Sequence, residues 1–194
     1  MANQPLDTSL LDKAIIYAVK AHSGTERRGK GFPYIVHLME AVEIVATITP
    51  DQELLSAAIL HDTVEDTDTT VEDIRREFGQ RVAMIVKAES DIRREGESDE
   101  ESWHRRKQEA IDRLRSAPYE AKVVAMGDKL SNMRAIARDY ASMGDALWGL
   151  FHVKEKEEHE WHYRGLAWAL ADLESTQAYK EFAALIERVF GAGE

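Results

Sequence analysis

The feature that most constrains this chain is a run of ionisable side chains directly after an apolar segment. Residues 54–60 read Leu-Leu-Ser-Ala-Ala-Ile-Leu and are followed by His61-Asp62 and, two residues later, by Glu65-Asp66. Carboxylates and an imidazole at the end of a buried helix cost free energy unless something compensates them, and a divalent metal is the simplest compensator. If the segment is helical, the two pairs lie one turn apart on shared faces. One pair is then placed to bind a metal, and the other is placed to accept or donate protons.

Cysteine content limits what kind of metal site is available. The chain has 194 residues, the length of a typical single domain, and contains no cysteine. Disulfides and thiolate ligands are therefore excluded, and any metal has to be held by His, Asp or Glu. The absence of cysteine also fits a reducing compartment, so we expect a cytoplasmic location.

Charge and hydropathy exclude several classes of partner. The formal net charge is −11, which is a poor electrostatic match for a nucleic acid polymer, although a local basic patch leaves a small anionic substrate possible. No segment approaches the ~20 apolar residues that a membrane helix needs, and the N-terminal residues do not resemble a signal peptide. We therefore expect neither a nucleic acid polymer nor a membrane as partner. The oligomeric state is not readable from the sequence.

The hydrophobic pattern predicts an all-α fold. Apolar residues recur at three- and four-residue steps along most of the chain, and no segment shows the alternation of a strand. Sequence signals predict a capping box between Thr69 and Glu72, a stop at Gly79 and a break at Pro118. A long charged helix is predicted over about 147–173. The acidic segment 95–101 is predicted to be an exposed connector or a lid near the site.

Four residues on separate predicted helices are candidate metal ligands. His61 and Asp62 form one pair, His37 lies beside an apolar stripe, and Asp128 follows four apolar residues where a core residue is expected. Taken alone, a histidine such as His37 is more often a hydrogen-bonded core residue, and a lone aspartate is usually exposed. Taken together, two imidazoles and two carboxylates suit Mn, Fe, Zn or Mg, and a site with open positions acidifies bound water.

A basic loop in this acidic chain is the candidate anion site. Arg27, Arg28 and Lys30 lie in a glycine-rich segment between two predicted helices. Guanidinium groups bind phosphate bidentately and stack on bases. A solvated turn is the alternative interpretation of this loop.

These residues resemble the HD superfamily of metal-dependent phosphohydrolases. The order His37, His61-Asp62, Asp128 matches its H…HD…D signature. Residues 32–37 (Phe-Pro-Tyr-Ile-Val-His), 57–67 (Ala-Ala-Ile-Leu-His-Asp-Thr-Val-Glu-Asp-Thr) and 127–133 (Gly-Asp-Lys-Leu-Ser-Asn-Met) further resemble the hydrolase domain of the RelA/SpoT family, which cleaves the alarmone (p)ppGpp. The short chain is similar to the stand-alone small alarmone hydrolases.

The resemblance implies a single helical HD domain over 1–194, with a family-like core at about 8–140 and divergent C-terminal helices at 145–192. It implies hydrolysis of (p)ppGpp to GDP or GTP and pyrophosphate, with one divalent ion, usually Mn. It implies the following roles: metal ligands His37, His61, Asp62 and Asp128; catalytic residues Glu65 and Asp66; substrate contacts Arg27, Arg28, Lys30 and Asn132.

The segment after Asn132 departs from the family pattern, so two alternatives stay open: an HD phosphohydrolase acting on another phosphorylated nucleotide, and a non-catalytic HD nucleotide-binding module. Six residues of this segment could form one wall of the pocket or an ordinary amphipathic helix: Trp148, Phe151, Lys154, Lys156, Trp161 and Tyr163. A second metal at Glu158, His159 and His162 is the less favoured interpretation of their spacing.

Overall fold

The computed structural model describes residues 6–89 and 99–191, and it confirms the all-α prediction. No β-strand occurs in these two ranges, and no helix within them is long and apolar enough to cross a membrane. The helices are α1 Ser9–Ala21, α2 Ile35–Ala46, α3 Gln52–Leu60, α4 Thr63–Asp66, α5 Val71–Phe78, α6 Gln80–Glu89, α7 Asp99–Ser116, α8 Tyr119–Met143, α9 Lys156–Ala169 and α10 Gln177–Phe190.

Helix α8 is the central element of the bundle. It packs against α2, α3 and α6 on one side and against α10 on another, while α7 packs against α9. Thirteen of its residues are buried, mostly small and aliphatic ones between Ala121 and Ala137. Because buried polar groups are normally hydrogen-bonded, the few polar residues among these thirteen need partners. Two of them, Asp128 and Ser131, lie beside α2 and α3.

A close approach between α2 and α8 depends on Gly127. A Cβ at this position would lie 2.7 Å from the carbonyl oxygen of Ala41 and 2.9 Å from a methyl carbon of Val45. Both contacts are shorter than real side chains show, and the first is to rigid backbone. The missing side chain at Gly127 therefore lets the backbones of α2 and α8 meet next to Asp128.

Replacing Gly127 with alanine is expected to destabilise the protein by about 1–3 kcal/mol, the usual cost of overpacking. The gain in helix propensity, about 1 kcal/mol at most, offsets only part of this. Urea unfolding followed by circular dichroism measures the change. Gly149→Ala is the matched control, because no heavy atom lies within 4 Å of its Cβ position. Equal stabilities for the two variants would contradict the close-approach argument.

The structure corrects several predicted boundaries. The capping box joins Thr70 and Asp73, one residue after the predicted pair. The predicted helix over 147–173 is interrupted: a 3₁₀ helix covers Gly144–Leu150, an extended segment follows, and α9 runs only from Lys156 to Ala169. The predicted stops at Gly79 and Pro118 are confirmed. Of the acidic segment 95–101, residues 95–98 lie outside the described residues, and α7 begins at Asp99.

Candidate metal centre and its cavity

Four side chains from three parts of the bundle meet at one point. His37 comes from α2, His61 and Asp62 from the junction of α3 and α4, and Asp128 from α8. One ligand atom from each lies within 4.8 Å of the other three. His37 Nε2 is 3.2 Å from Asp128 Oδ1, and His61 Nε2 is 2.9 Å from Asp62 Oδ2. The structure therefore brings together all four predicted ligands.

The two imidazoles present unsatisfied nitrogen atoms to this cluster. His61 Nδ1 lies 2.8 Å from the carbonyl oxygen of Ala58, which can only accept, so Nδ1 carries a proton and, in the neutral ring that binds a metal, the lone pair is on Nε2. The Nε2 atoms of His37 and His61 are buried, and their near neighbours among the described residues are the aspartate oxygens of the cluster, to which a neutral ring protonated at Nδ1 donates no hydrogen bond. Buried polar atoms are normally paired. Two such nitrogens beside two carboxylates are a donor set that fits a divalent metal ion.

Charges around the cluster keep the carboxylates ionised. Burial acts to raise the pKa of Asp128, but the Lys129 ammonium, 2.6 Å from its Oδ2, and the contacts with His37 and His61 together hold that pKa well below its usual range. Burial likewise acts to raise the pKa of Asp62, but the contacts with His61 and His37 together hold that pKa below its usual range. Both carboxylates are thus anionic at neutral pH and able to bind a cation. Lys129 also lies 3.6 Å from Glu89. Burial raises the pKa of the Glu89 carboxyl.

Polar neighbours hold the carboxylates in place. The Tyr34 hydroxyl donates to Asp62 Oδ2 at 2.6 Å, and burial followed by the charge of Asp62 raises the pKa of Tyr34, so the hydroxyl keeps its proton. Asn132 donates from Nδ2 to Asp128 Oδ1, and Arg27 in turn donates to Asn132 Oδ1. Of the predicted substrate contacts, Asn132 therefore binds a predicted metal ligand directly, and Arg27 is linked to that ligand through Asn132.

The other two basic-loop residues have partners elsewhere. Arg28 lies 3.1 Å from His152 Nε2 on the surface, and Lys30 forms an ion pair with Asp139 of α8. Neither lines the cavity that contains the cluster. Their role as substrate contacts stays a prediction.

Three residues of the cluster, His61, Asp62 and Asp128, line a cavity of about 590 Å³. Glu65 and Asp66 line the cavity beside the cluster, together with Arg27 and Asn132. The predicted catalytic pair and half of the predicted substrate contacts therefore face the same space as three of the four candidate ligands. This volume is in the range of cavities that hold small-molecule ligands.

Another part of the cavity wall is aromatic, and most of its residues were missed from the sequence. It comes from α7, α9 and the segment before α9: Trp103, Lys107, Phe151, His159, His162 and Tyr163. Burial lowers the pKa of His162 well below its usual range, so its ring is neutral, and its Nδ1 has no hydrogen-bond partner among the described residues. Of the six residues predicted as a possible pocket wall, Phe151 and Tyr163 line the cavity. Lys156 instead contacts Tyr140, and Trp161 stacks on His104.

Comparison with known proteins places this arrangement in a family. A family model described as HD domain matches residues 14–150. The chain is 34% identical over 137 residues to the guanosine-3′,5′-bis(diphosphate) 3′-pyrophosphohydrolase MESH1 of Danio rerio, which covers 68% of this chain and 71% of the relative. It is 38% identical over 92 residues to the enzyme of the same description from Aquifex aeolicus, covering 47% of this chain but only 13% of the relative.

Solved structures show the same fold. The structure of a metazoan ortholog of SpoT that hydrolyses ppGpp superposes with a TM-score of 0.71 and 21% identity, over 98% of this chain and 99% of that one. A protein from Listeria monocytogenes EGD-e superposes with a TM-score of 0.70 and 27% identity, over 83% and 99%. The family match includes every residue of the cluster and ends before α9. Part of the aromatic wall of the cavity therefore lies outside the family match.

Proposed function

Since the chain belongs to the HD domain family, we propose that it is a metal-dependent hydrolase that removes the 3′-pyrophosphate from (p)ppGpp. The observation that carries the proposal is one cavity that combines a two-histidine, two-aspartate cluster with an adjacent Glu65-Asp66 pair. The similarity to the zebrafish pyrophosphohydrolase, which extends over most of both chains, supports this substrate.

We propose that His37, His61, Asp62 and Asp128 hold one divalent ion, and that manganese is the ion used. The two orphaned imidazole nitrogens and the two anionic carboxylates fit such an ion. When bound, it would supply Lewis acidity and lower the pKa of water. The family resemblance supports manganese, and an N/O donor set accepts it.

Glu65 and Asp66 are proposed to activate and orient the attacking water. Both belong to α4, the single turn that follows His61-Asp62, and both line the cavity next to the cluster. A carboxylate there accepts a proton from water as the water oxygen attacks the phosphorus bound to the ribose 3′ oxygen. The bond between that phosphorus and the 3′ oxygen breaks, the 3′ oxygen gains a proton, and pyrophosphate and GDP or GTP are released.

The remaining walls suit the rest of a nucleotide. Arg27 supplies a guanidinium beside the cluster, 5.3 Å from the centre of the Tyr34 ring. A phosphate in the cavity therefore meets a positive charge, although the chain is acidic overall. The aromatic rings of the cavity wall offer stacking surfaces for a base, and the neutral His162 offers an unpaired ring nitrogen. Arg28, Lys30 and Asn132 complete the proposed set of substrate contacts.

A second candidate keeps the chemistry and changes the substrate to another phosphorylated nucleotide. The observation that favours it is the position of His159, His162 and Tyr163 in the cavity wall, on a helix beyond the end of the family match. A non-catalytic nucleotide-binding module is disfavoured, because all six residues proposed for metal binding and water activation are present.

Pyrophosphate release from ppGpp by the purified protein tests the proposal. We expect release with added Mn²⁺ and none after chelation with EDTA, restored by returning Mn²⁺, because the cluster then has its cation. Release that is insensitive to EDTA would contradict a metal-dependent mechanism. No release of pyrophosphate from ppGpp, in a protein that retains stoichiometric metal and cleaves another nucleotide, would replace the first candidate with the second.

We further propose that residues 1–194 form a single domain that acts in the cytoplasm on a small nucleotide. The net charge of −11 supports a small substrate over a nucleic acid polymer.

A further inference from the structure

Two polar side chains lie behind His37, on the side of its ring away from the cluster. Ser131 Oγ of α8 is 2.8 Å from His37 Nδ1, and the same hydroxyl donates to Glu40 Oε2 of α2 at 2.7 Å. Ser131 is 2% exposed, so water does not replace either contact. His37, Ser131 and Glu40 therefore form a continuous hydrogen-bonded chain.

The proton count of this chain fixes the tautomer of His37. A serine hydroxyl has one hydrogen, and here it is directed to the Glu40 carboxylate, which only accepts. The Ser131 oxygen must then accept from His37, so Nδ1 carries the ring proton. Nε2 is left with its lone pair directed at the cluster, the form that a metal ligand needs.

Glu40 is held in this position by guanidinium groups. Arg134 Nη1 lies 3.4 Å from Glu40 Oε1, and Arg138 Nη1 lies 3.9 Å from the same oxygen. Arg134 also binds Glu181 of α10 with two bonds, 2.7 Å and 2.8 Å long. Thus the acceptor behind His37 is tied to the last helix, which lies outside the family match.

His61 obtains the same tautomer in a different way. Its Nδ1 donates to a main-chain carbonyl oxygen within its own helix. No side-chain substitution removes that acceptor, whereas the acceptor of His37 depends on two side chains. His37 is therefore the ligand whose orientation can be altered by mutation without touching the ligand itself.

We propose that Ser131 and Glu40 are positioning residues that orient His37 and hold it in its metal-binding tautomer. This inference rests on the metal centre of the proposed function and assigns it a supporting network built from α2, α8 and α10. Partners of this kind raise ligand basicity and fix ring orientation, and their loss typically weakens metal affinity by about 10–100-fold.

The test is Mn²⁺ affinity of the full chain, measured by competition with a fluorescent chelator. Ser131→Ala and Glu40→Ala are each expected to raise the apparent Kd by about 10–100-fold. Two control variants should stay within twofold of wild type. Ser142→Ala removes a hydroxyl of α8 that donates to the Asp139 carbonyl, and Glu43→Gln alters an exposed carboxylate 3.6 Å from Arg134.

The double variant Ser131→Ala/Glu40→Ala distinguishes a chain from two separate structural effects. If Glu40 acts on His37 only through Ser131, the double variant binds Mn²⁺ about as weakly as Ser131→Ala alone. A double variant whose Kd rises by the product of the two single-variant factors would overturn the hydrogen-bonded chain. Wild-type affinity in both single variants would overturn the proposal. If Ser131→Ala does not fold by circular dichroism, Glu40→Ala carries the same prediction. If the wild-type chain does not bind Mn²⁺ at all, the result counts against the metal centre of the proposed function. The assay contains no nucleotide, so the choice of substrate does not affect this outcome.

Discussion

Replacing Glu65 with glutamine is expected to lower the turnover of ppGpp by about 10²–10⁴-fold while the metal stays bound. Glu65 lies in the turn after His61-Asp62 and lines the cavity, but it is not one of the four clustered ligands. Glutamine preserves the shape of the side chain and removes its ability to accept a proton at neutral pH. The expected loss is the usual contribution of a positioned acid–base group. Turnover is measured as pyrophosphate release at saturating substrate, with metal content determined on the same preparation.

A matched control separates this effect from general changes in charge. Glu72→Gln removes a carboxylate of α5 that is 69% exposed and paired with Arg75, so turnover is expected to stay near the wild-type value. Wild-type turnover in Glu65→Gln would remove Glu65 from the mechanism and leave Asp66 as the proposed base. Loss of metal together with turnover would show that Glu65 supports the cluster rather than the attacking water.

The metal cluster could be predicted because its chemistry is unusual at each position. An aspartate after four apolar residues, and a His-Asp pair after a buried helix, both place charge where a core expects none. The structure shows that Asp128 and His61 are indeed buried and that they meet. Local sequence therefore indicated both the residues and their need for a common partner.

The aromatic part of the cavity wall could not be predicted from the sequence, because its position depends on where the chain bends. A charged, aromatic-rich segment at helical spacing predicts one continuous helix over 147–173. In the structure, Gly144 adopts a φ of 56°, a 3₁₀ helix and an extended segment follow, and α9 starts only at Lys156. This shift brings His162 and Tyr163 to the cavity and leaves Trp161 stacked on His104 outside it.

The supporting network behind His37 was missed for a different reason. Ser131 and Glu40 are ordinary helix residues in sequence, and nothing in their local pattern separates them from surface positions. Their role comes from the packing of α2 on α8, which the absent side chain of Gly127 permits. To predict this network, one would have to know which faces of α2 and α8 pack against each other, and the local sequence does not contain that information.

Replacing Asp62 with asparagine is expected to abolish stoichiometric metal retention, and with it turnover. Asp62 Oδ2 faces both imidazoles, 2.9 Å from His61 Nε2 and 3.6 Å from His37 Nε2. Asparagine keeps the shape and can still accept from the Tyr34 hydroxyl, but it removes the negative charge that a hard or borderline cation requires. Since Asp62 would bind the metal directly, its loss should exceed the about 100-fold upper cost of losing a supporting partner.

Metal content after dialysis, measured by atomic emission on wild type and variants prepared in parallel, decides this prediction. Asp68→Asn is the control, because it removes a carboxylate from the same run at an exposed position and should keep its metal. Circular dichroism shows whether Asp62→Asn remains folded, so that loss of metal is not confused with loss of structure. A folded Asp62→Asn that keeps one metal per chain would contradict ligation by Asp62 and would leave three side chains of the cluster to hold the ion.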